Sequence, residues 1–309
     1  LLLSAHFDTF PSSPGAADDG VNVATAIQVA ASLARGPPRS HCVLLLLNGA
    51  EESNWVAAHG FATQHPWGAD YRVVVNLEAI GSGGKVVVFQ LGPQAPWIAH
   101  ALGRSVDPRG SILGQDLFNI PGFPAGTDFK TLINHGRSTS PGGIAGIDVA
   151  TIGNGYVYHT PEDQPVHVGR RAMQHLGAQI LSTTTSLLDH MPPLKQQEKF
   201  VTPRQMHLRQ RRIGDNPQVI EAPPGVVFWD YLGLAWVSYP TAWQETWNVA
   251  LLVLLFLLYA EQGVTPSLVS GFLEILAIYC GVVSACLVSA VVHLTNPMVS
   301  FTTKALAMA

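Results

Sequence analysis

Short apolar runs alternate with helical patterns over residues 1–190, and this alternation restricts the fold more than any other feature of the sequence. The runs are almost continuously apolar, which is typical of strands buried on both faces of a sheet. We therefore predict an α/β domain with a mixed central sheet flanked by helices. The predicted strands are Leu1–Ala5, Cys42–Leu47, Val73–Leu77, Val86–Gln90 and Ile147–Ile152, and the predicted helices are Gly20–Ala34, Ser53–Gln64, Pro96–Arg104, Asp128–His135 and His167–His190.

Charge divides the 309 residues into three regions. Residues 1–190 have the mixed composition of a globular domain, residues 191–225 form a basic linker, and residues 226–309 contain Lys304 as their single lysine or arginine. The net charge is −4, which argues against a strongly basic nucleic-acid-binding protein. The linker is either a solvated connector or a patch that contacts acidic lipid headgroups.

Two apolar runs in the third region predict helices near residues 243–261 and 268–294. A membrane span needs about 20 apolar residues, and the second run meets this length. The first run is shorter, but Trp243 and Trp247 are suited to a membrane interface. We predict a membrane region over residues 226–309, and two buried core helices remain the alternative. Glu274 in the second run is either a buried polar contact or part of a polar path.

The chain begins with Leu1 inside a predicted strand and shows no signal peptide. We therefore expect that the N-terminal part of the domain is missing from this sequence.

Acidic residues and histidines follow successive predicted strands, where the carboxyl ends of parallel strands place ligand sites. Each motif has an ordinary explanation on its own, such as helix capping for Asp18 and Asp19 or a solvated loop for Glu51 and Glu52. Together they predict one cluster at one edge of the sheet. Its members are His6, one aspartate of the pair Asp18 and Asp19, Glu51, Glu52, Glu78 and His159, and Asp8 stands two residues after His6.

Two histidines with three carboxylates suit a pair of zinc ions that retain open positions for water and substrate. One shared aspartate would bridge ions about 3.5–4 Å apart. A remaining glutamate would act as general base towards a bridging water.

In these motifs and their order, the sequence resembles the co-catalytic zinc exopeptidases of the aminopeptidase and glutamate carboxypeptidase type. Within them it is most similar to the endoplasmic reticulum metallopeptidases and vacuolar membrane proteases. The segments that carry the resemblance are Ser4–Thr9, Ser13–Asp19, Asn48–Glu52, His59–Phe61, His65–Trp67, Asn76–Gly81, Thr127–Phe129 and Gly155–Thr160.

The resemblance implies a metal-ligand set within residues 1–190, which would form a zinc peptidase domain. His6 and Glu78 would hold one zinc, Glu52 and His159 would hold the other, and Asp18 would bridge them.

The resemblance also implies roles around the ligands. Glu51 would be the general base and then the proton donor to the leaving amine, and Asp8 would orient His6. Tyr158 would face the substrate pocket. Asp128 matches a family position near the site without an assigned role, and Asp19 is interpreted as a helix-start residue.

Three positions depart from the family pattern. Gly126 stands where a second acid is usual, Gln164 where threonine is common, and Asn22 where serine or glycine is common. None of them removes a predicted ligand, so the departures bear on substrate preference.

The sequence thus predicts a membrane-anchored dizinc metallopeptidase that removes a residue from one end of a peptide. The alternatives are a glutaminyl-cyclase-like acyltransferase, which works with one zinc, and a catalytically silent scaffold. The resemblance implies a multi-pass protein of the endoplasmic reticulum membrane with a lumenal catalytic domain. Neither the peptide end that is cut nor an oligomeric state follows from the sequence.

Overall fold

The computed structural model describes residues 1–92, 95–120, 123, 125–137, 144–191 and 225–261. The chain divides into two compact units, Leu1–Thr241 and Ala242–Ala309. The predicted helix near 268–294, including Glu274, lies outside the described residues. So does the basic linker, apart from Met191 and Gly225 at its two ends.

The first unit is built on a five-stranded mixed sheet, which confirms the predicted α/β fold with flanking helices. The strand order is β2-β1-β3-β5-β4, and β4 is the antiparallel member. The strands are β1 Leu2–His6, β2 Leu44–Asn48, β3 Val73–Ala79, β4 Gly83–Gly92 and β5 Ala145–Gly153. The helices are α1 Asn22–Arg35, α2 Val56–Gln64, α3 Pro96–Leu102, α4 Ile112–Phe118, α5 Asp128–His135 and α6 Arg170–His190.

Alternate residues of the central strands enter two separate cores. Leu3 and Val75 belong to a core that is completed by α1, α3 and α6, whereas Leu2 and Val74 belong to one completed by α2 and α5. Successive side chains of a strand point to opposite faces. The continuous apolar runs of β1 and β3 therefore reflect a sheet covered by helices on both sides.

The prediction that every strand is buried on both faces is wrong for β2. Leu45 and Leu47 are each 37% exposed, and Cys42 is exposed and precedes the strand. Within the described residues, β2 pairs only with β1 and forms one edge of the sheet. An edge position leaves alternate side chains of an apolar run partly uncovered.

Helix α4 was missed by the sequence analysis. It is only seven residues long and none of its residues is buried. The hydroxyl of Ser111 accepts the backbone N–H of Leu113 at 3.2 Å and caps the helix. Two turns are too short to display a helical period that predicts a helix.

Residues 226–240, assigned from sequence to the membrane region, form an antiparallel hairpin of the first unit. Its strands are β6 Val226–Tyr231 and β7 Ala235–Pro240. Phe228 is fully buried in the larger core, and the backbone N–H of Asp230 donates to Gly110 O at 2.9 Å. The long-range contact that fixes this hairpin is invisible in its local sequence.

The second unit contains α7, Gln244–Glu261, close to the predicted helix at 243–261. Among the residues that the structure describes, no helix combines the length and the apolarity needed to cross a membrane.

The carboxyl ends of the parallel strands lie side by side along one end of the sheet. His6 is the last residue of β1 and pairs in register with Asn48, the last residue of β2. Glu78 lies one residue before the end of β3. The sheet thus places side chains from distant parts of the chain beside one another.

A substitution at Gly146 tests the close approach of β5 to β3. A Cβ at this position would lie 2.1 Å from the carbonyl oxygen of Val74. We expect Gly146→Ala to lower the free energy of unfolding by about 3 kcal/mol, because backbone must move to relieve the overlap.

The matched control is Gly177→Ala in α6, where a Cβ would meet nothing within 4 Å. This variant should raise stability by about 0.5–1 kcal/mol through helix propensity. Denaturant unfolding followed by circular dichroism measures both. Equal effects of the two substitutions would contradict the inferred strand contact.

Candidate metal centre

His6 is held with one ring nitrogen directed into the cluster. Its Nδ1 lies 2.9 Å from the carbonyl oxygen of Asp8, which can only accept a hydrogen bond, so Nδ1 carries a proton and donates. Its Nε2 lies 3.3 Å from Asp18 Oδ1 and 3.6 Å from Glu78 Oε2. A histidine ligand is commonly oriented in this way by a hydrogen bond on its other nitrogen.

Asp18 lies between the two predicted histidine ligands. Its second oxygen, Oδ2, is 3.2 Å from His159 Nε2. The carboxylate of Asp163 holds this turn by accepting the backbone N–H groups of Ala17 at 2.7 Å and Asp18 at 3.0 Å. Asp163 is fully buried. No role for Asp163 follows from the sequence, although this residue stands only four positions after His159.

His159 lies in the turn after β5, with a left-handed backbone φ of 59°. Its ring stacks on Tyr158 with centroids 3.7 Å apart and on Phe10 with centroids 4.4 Å apart. Its Nε2 lies 3.0 Å from Glu52 Oε1. Two aromatic neighbours restrict the rotation of the imidazole and keep Nε2 directed at the carboxylates.

Asp8 anchors the loop after β2. Its carboxylate accepts the backbone N–H of Glu51 at 3.1 Å and of Glu52 at 3.3 Å. We expected this carboxylate to orient His6, but its Oδ1 is 3.5 Å from Nδ1, and the Asp8 carbonyl makes the shorter contact. Asp8 therefore orients His6 through its backbone and the paired glutamates through its side chain.

Glu51 is held through one of its two carboxylate oxygens. Its Oε1 accepts the indole N–H of Trp55 at 2.8 Å. Trp55 in turn packs over Gly126, where a Cβ would lie 2.6 Å from the indole ring. The glycine that departs from the family pattern thus makes room for the tryptophan that holds Glu51.

Within the described residues, two sets of side chains lie close enough to hold a metal ion: His6 with Asp18 and Asp19, and Asp18 with Glu52 and His159. Asp18 belongs to both. Asp19 Oδ2 accepts the backbone N–H of His6 at 3.1 Å, and its Oδ1 accepts the Asn22 amide.

Glu78 is the better partner for His6 than Asp19. Both oxygens of Asp19 are engaged by protein donors. Glu78 Oε1 is engaged by the Asn76 amide at 3.0 Å, but its Oε2 is directed towards His6 Nε2.

Three buried atoms of the cluster make no well-directed hydrogen bond among the described residues and lie against one another instead: His6 Nε2, His159 Nε2 and Glu52 Oε1. Such an arrangement is costly unless a proton or a cation lies between the nitrogen and the carboxylate. Imidazole nitrogens and carboxylate oxygens are zinc ligands, so these residues fit the metal.

The carboxylates control the protonation of the imidazoles. Burial lowers the pKa of His159, but the adjacent carboxylates of Asp18 and Glu52 outweigh it and raise the pKa to about 9. The pKa of His6 is also raised, because Asp18 and Glu78 outweigh its burial.

Two acids beside the cluster, Glu51 and Asp128, also have raised pKa values. Burial, followed by the charge of Glu78, raises the pKa of Glu51 to about 9 when protein groups alone act on it. Burial likewise raises the pKa of Asp128 to about 7. A bound cation would oppose both shifts by favouring the charged carboxylates.

Tyr158 and Asp128 both lie beside the cluster. Burial and the nearby charges of Asp18, Glu78 and Glu52 raise the pKa of the Tyr158 hydroxyl. Asp128 Oδ2 accepts the Asn48 amide at 2.6 Å, and its Oδ1 is buried without a hydrogen-bond partner in the described part of the chain.

Asp148 is a further buried acid that the sequence analysis did not single out. It is fully buried in β5 and accepts the hydroxyl of Thr127 at 2.5 Å. A sequence signal for it existed, because it is the single charged residue in the apolar run 144–152. A charge inside a buried strand needs partners.

The sequence of this chain matches a known family and several curated relatives. Residues 1–184 match the model of Peptidase family M28. Endoplasmic reticulum metallopeptidase 1 of Rattus norvegicus is 35% identical over 86% of this chain and 27% of its own length. The putative endoplasmic reticulum metallopeptidase 1-B of Caenorhabditis elegans is 34% identical over 78% of this chain and 24% of its own.

A vacuolar membrane protease of Yarrowia lipolytica is 30% identical over 61% of this chain and 18% of its own length. The chain thus spans about a quarter of the length of the curated relatives it matches.

Solved structures show a weaker likeness. A zinc aminopeptidase from Bacillus subtilis is 16% identical, with a TM-score of 0.42 over 62% of this chain and 48% of that one. A glutaminyl cyclase from Fimbriiglobus ruber is 17% identical, with a TM-score of 0.44 over 60% of this chain and 70% of that one. These values do not separate one activity from the other.

The family match covers more than half of the chain, in the same residues that form the sheet and the cluster at its edge. The chain therefore belongs to peptidase family M28, a family of zinc-dependent metallopeptidases.

Proposed function

We propose that this chain is the catalytic part of a dizinc exopeptidase that hydrolyses a terminal peptide bond. The observation that carries the proposal is the position of Asp18, whose two carboxylate oxygens lie 3.3 Å and 3.2 Å from the buried Nε2 atoms of His6 and His159. A carboxylate placed between two ring nitrogens is suited to bridge two ions.

In this proposal His6 and Glu78 hold one zinc, Glu52 and His159 hold the other, and Asp18 is shared. Zinc supplies Lewis-acid polarisation of the peptide carbonyl and lowers the pKa of water. The protein's contribution is to fix the ligand atoms, as Asp8 does through the carbonyl that orients His6.

Glu51 is the proposed proton carrier. Its Oε1 is fixed by the Trp55 indole, which leaves Oε2 to take the proton of the attacking water. The same oxygen then returns the proton to the nitrogen of the leaving amine as the peptide bond breaks. A bound cation would oppose the raised pKa of Glu51 and favour the ionised carboxylate that the first step needs.

Tyr158 is the proposed contact with the peptide substrate. It stacks against His159 and lies within the field of Asp18, Glu78 and Glu52. Its phenol therefore borders the space in which a scissile bond must lie.

We also propose a membrane-anchored, multi-pass protein of the endoplasmic reticulum with this domain in the lumen. The support is that two relatives are named endoplasmic reticulum metallopeptidases and one a vacuolar membrane protease. The apolar run at residues 268–294 is long enough to span, and the basic residues 195–212 would meet lipid headgroups.

Zinc content per chain tests the ligand set. Elemental analysis of the purified full-length protein should give two zinc ions, and Glu52→Ala should lose at least one. Glu162→Ala, an exposed glutamate near His159, is the control and should retain both. One zinc in the intact protein would favour the cyclase-like alternative, and none would favour the scaffold.

Glu51→Gln separates catalysis from metal binding. We expect kcat for a peptide substrate to fall by about 10²–10⁴, because the amide cannot accept the proton. Zinc content should stay at the wild-type value, since Glu51 lies outside both candidate ion sets. Near-normal turnover in this variant would refute Glu51 as the base.

Zinc affinity should rise with pH. His159, with a pKa of about 9, is protonated at neutral pH and must lose that proton before Nε2 can bind metal. We expect proton release at pH 7, measured by titration calorimetry in buffers of different ionisation enthalpy. Apparent affinity should weaken as the pH falls from 9 to 6.

His100→Gln is the control for this titration, because His100 is exposed and outside the cluster. It should leave the pH dependence unchanged. An affinity that is constant between pH 6 and 8 would contradict the proposed role of His159.

A further inference from the structure

A row of polar side chains crosses the interior of the sheet behind the metal centre. Asn76 of β3 is in register with Asp148 of β5, and Asp148 is in register with Gln90 of β4. All three are buried. Buried polar groups are costly unless they are hydrogen-bonded, so a row of them inside an apolar sheet needs an explanation.

Asp148 is the acceptor at the centre of this row. Its Oδ2 accepts the Gln90 amide at 2.9 Å and the Thr127 hydroxyl at 2.5 Å, and its Oδ1 accepts the Asn76 amide at 3.0 Å. No lysine or arginine in the described part of the chain forms an ion pair with Asp148. Its hydrogen bonds alone therefore hold the carboxyl group in position.

The amide of Asn76 connects this row to the metal centre. Its Nδ2 has two hydrogens, and it donates one to Asp148 Oδ1 and the other to Glu78 Oε1, each at 3.0 Å. Asn76 and Glu78 are two residues apart on one strand, so their side chains share a face of the sheet.

The orientation of the Asn76 amide follows from what Asp148 can do. Asp148 Oδ1 accepts an N–H of the Asn76 amide, so the amide turns its NH₂ group, and not its oxygen, towards Asp148. The second N–H then reaches Glu78 Oε1. Glu78 Oε2 is left on the side of His6, at 3.6 Å from Nε2.

We propose that Asp148 is a positioning residue of the metal centre: by fixing the Asn76 amide, it holds the Glu78 carboxylate with one oxygen facing His6. This inference rests on the proposed dizinc function. Without Asp148, the Asn76 amide loses the acceptor of its other N–H, and only the hydrogen bond to Glu78 holds it. The side chain of Asn76 is then free to change rotamer, and the glutamate loses a fixed partner.

Zinc affinity, measured by competition with a chromophoric chelator, tests the proposal on the full-length protein. Asp148→Leu keeps the branched shape of the side chain and removes the acceptor, and Asn76→Leu removes the two donors. Each should weaken the binding of one zinc by about 10–100-fold, the usual effect of removing a partner that orients a ligand. Either variant alone is decisive if the other fails to fold.

The double variant tests whether Asp148 acts through Asn76. If it does, Asp148→Leu with Asn76→Leu should be no weaker than Asn76→Leu alone, because the second change removes nothing further. Additive losses would overturn the proposed route. Asp148→Asn should restore most of the affinity, since its oxygen can still accept from Asn76.

Ser4→Ala is the matched control. Ser4 is buried in β1, in register with Asn76, and its hydroxyl has no hydrogen-bond partner in the described part of the chain. It should keep wild-type zinc affinity.

Circular dichroism and thermal unfolding report the folded state of every variant. A folded Asp148→Leu protein with wild-type zinc affinity would overturn the proposal and reduce Asp148 to a structural role. The wild-type protein is titrated first, and failure to bind two zincs there would instead refute the proposed function.

Discussion

The crowding of carboxylates at one edge of the sheet is the constraint on which the rest of this structure depends. Asp18, Asp19, Glu51, Glu52 and Glu78 converge on two imidazole rings, and burial together with mutual repulsion raises the pKa of Glu51, Asp19 and Glu78. Such a cluster persists only if cations and hydrogen-bond donors compensate the charge. The same requirement makes the site suited to doubly charged metal ions.

Acids that bind no ion in our proposal hold those that do. Asp8 accepts the backbone N–H groups of the paired glutamates, Asp163 accepts those of the turn that carries Asp18, and Asp148 fixes the amide that holds Glu78. The segments that carry the three proposed carboxylate ligands therefore each have an acidic partner elsewhere in the chain. Ligand position is set by this second group of carboxylates as much as by the sheet.

The strands explain why the site can be both rigid and polar. β1 and β3 are covered on both faces by helices, so the residues at their carboxyl ends leave a closely packed core. The loops that follow β2 and β5 are more exposed than these strands, and they contribute Glu51, Glu52 and His159 to the cluster. The proposed ligands from the strands thus meet loop residues, which border the peptide substrate in our proposal.

The sequence by itself determined the α/β class, the strand positions within a few residues and the candidate residues at the strand ends. It did so because continuous apolar runs, helical periods and polar residues after strands are local patterns, and parallel strands must end at one edge.

The tertiary structure decided what depends on partners far apart in the chain. It placed β2 at an edge, joined the hairpin at residues 226–240 to the core, and aligned Asn76, Asp148 and Gln90 across three strands. It also decided that the Asp8 carbonyl, and not its carboxylate, contacts His6 most closely. Strand order, register and the atom that makes a contact follow from packing between distant segments, which no local pattern records.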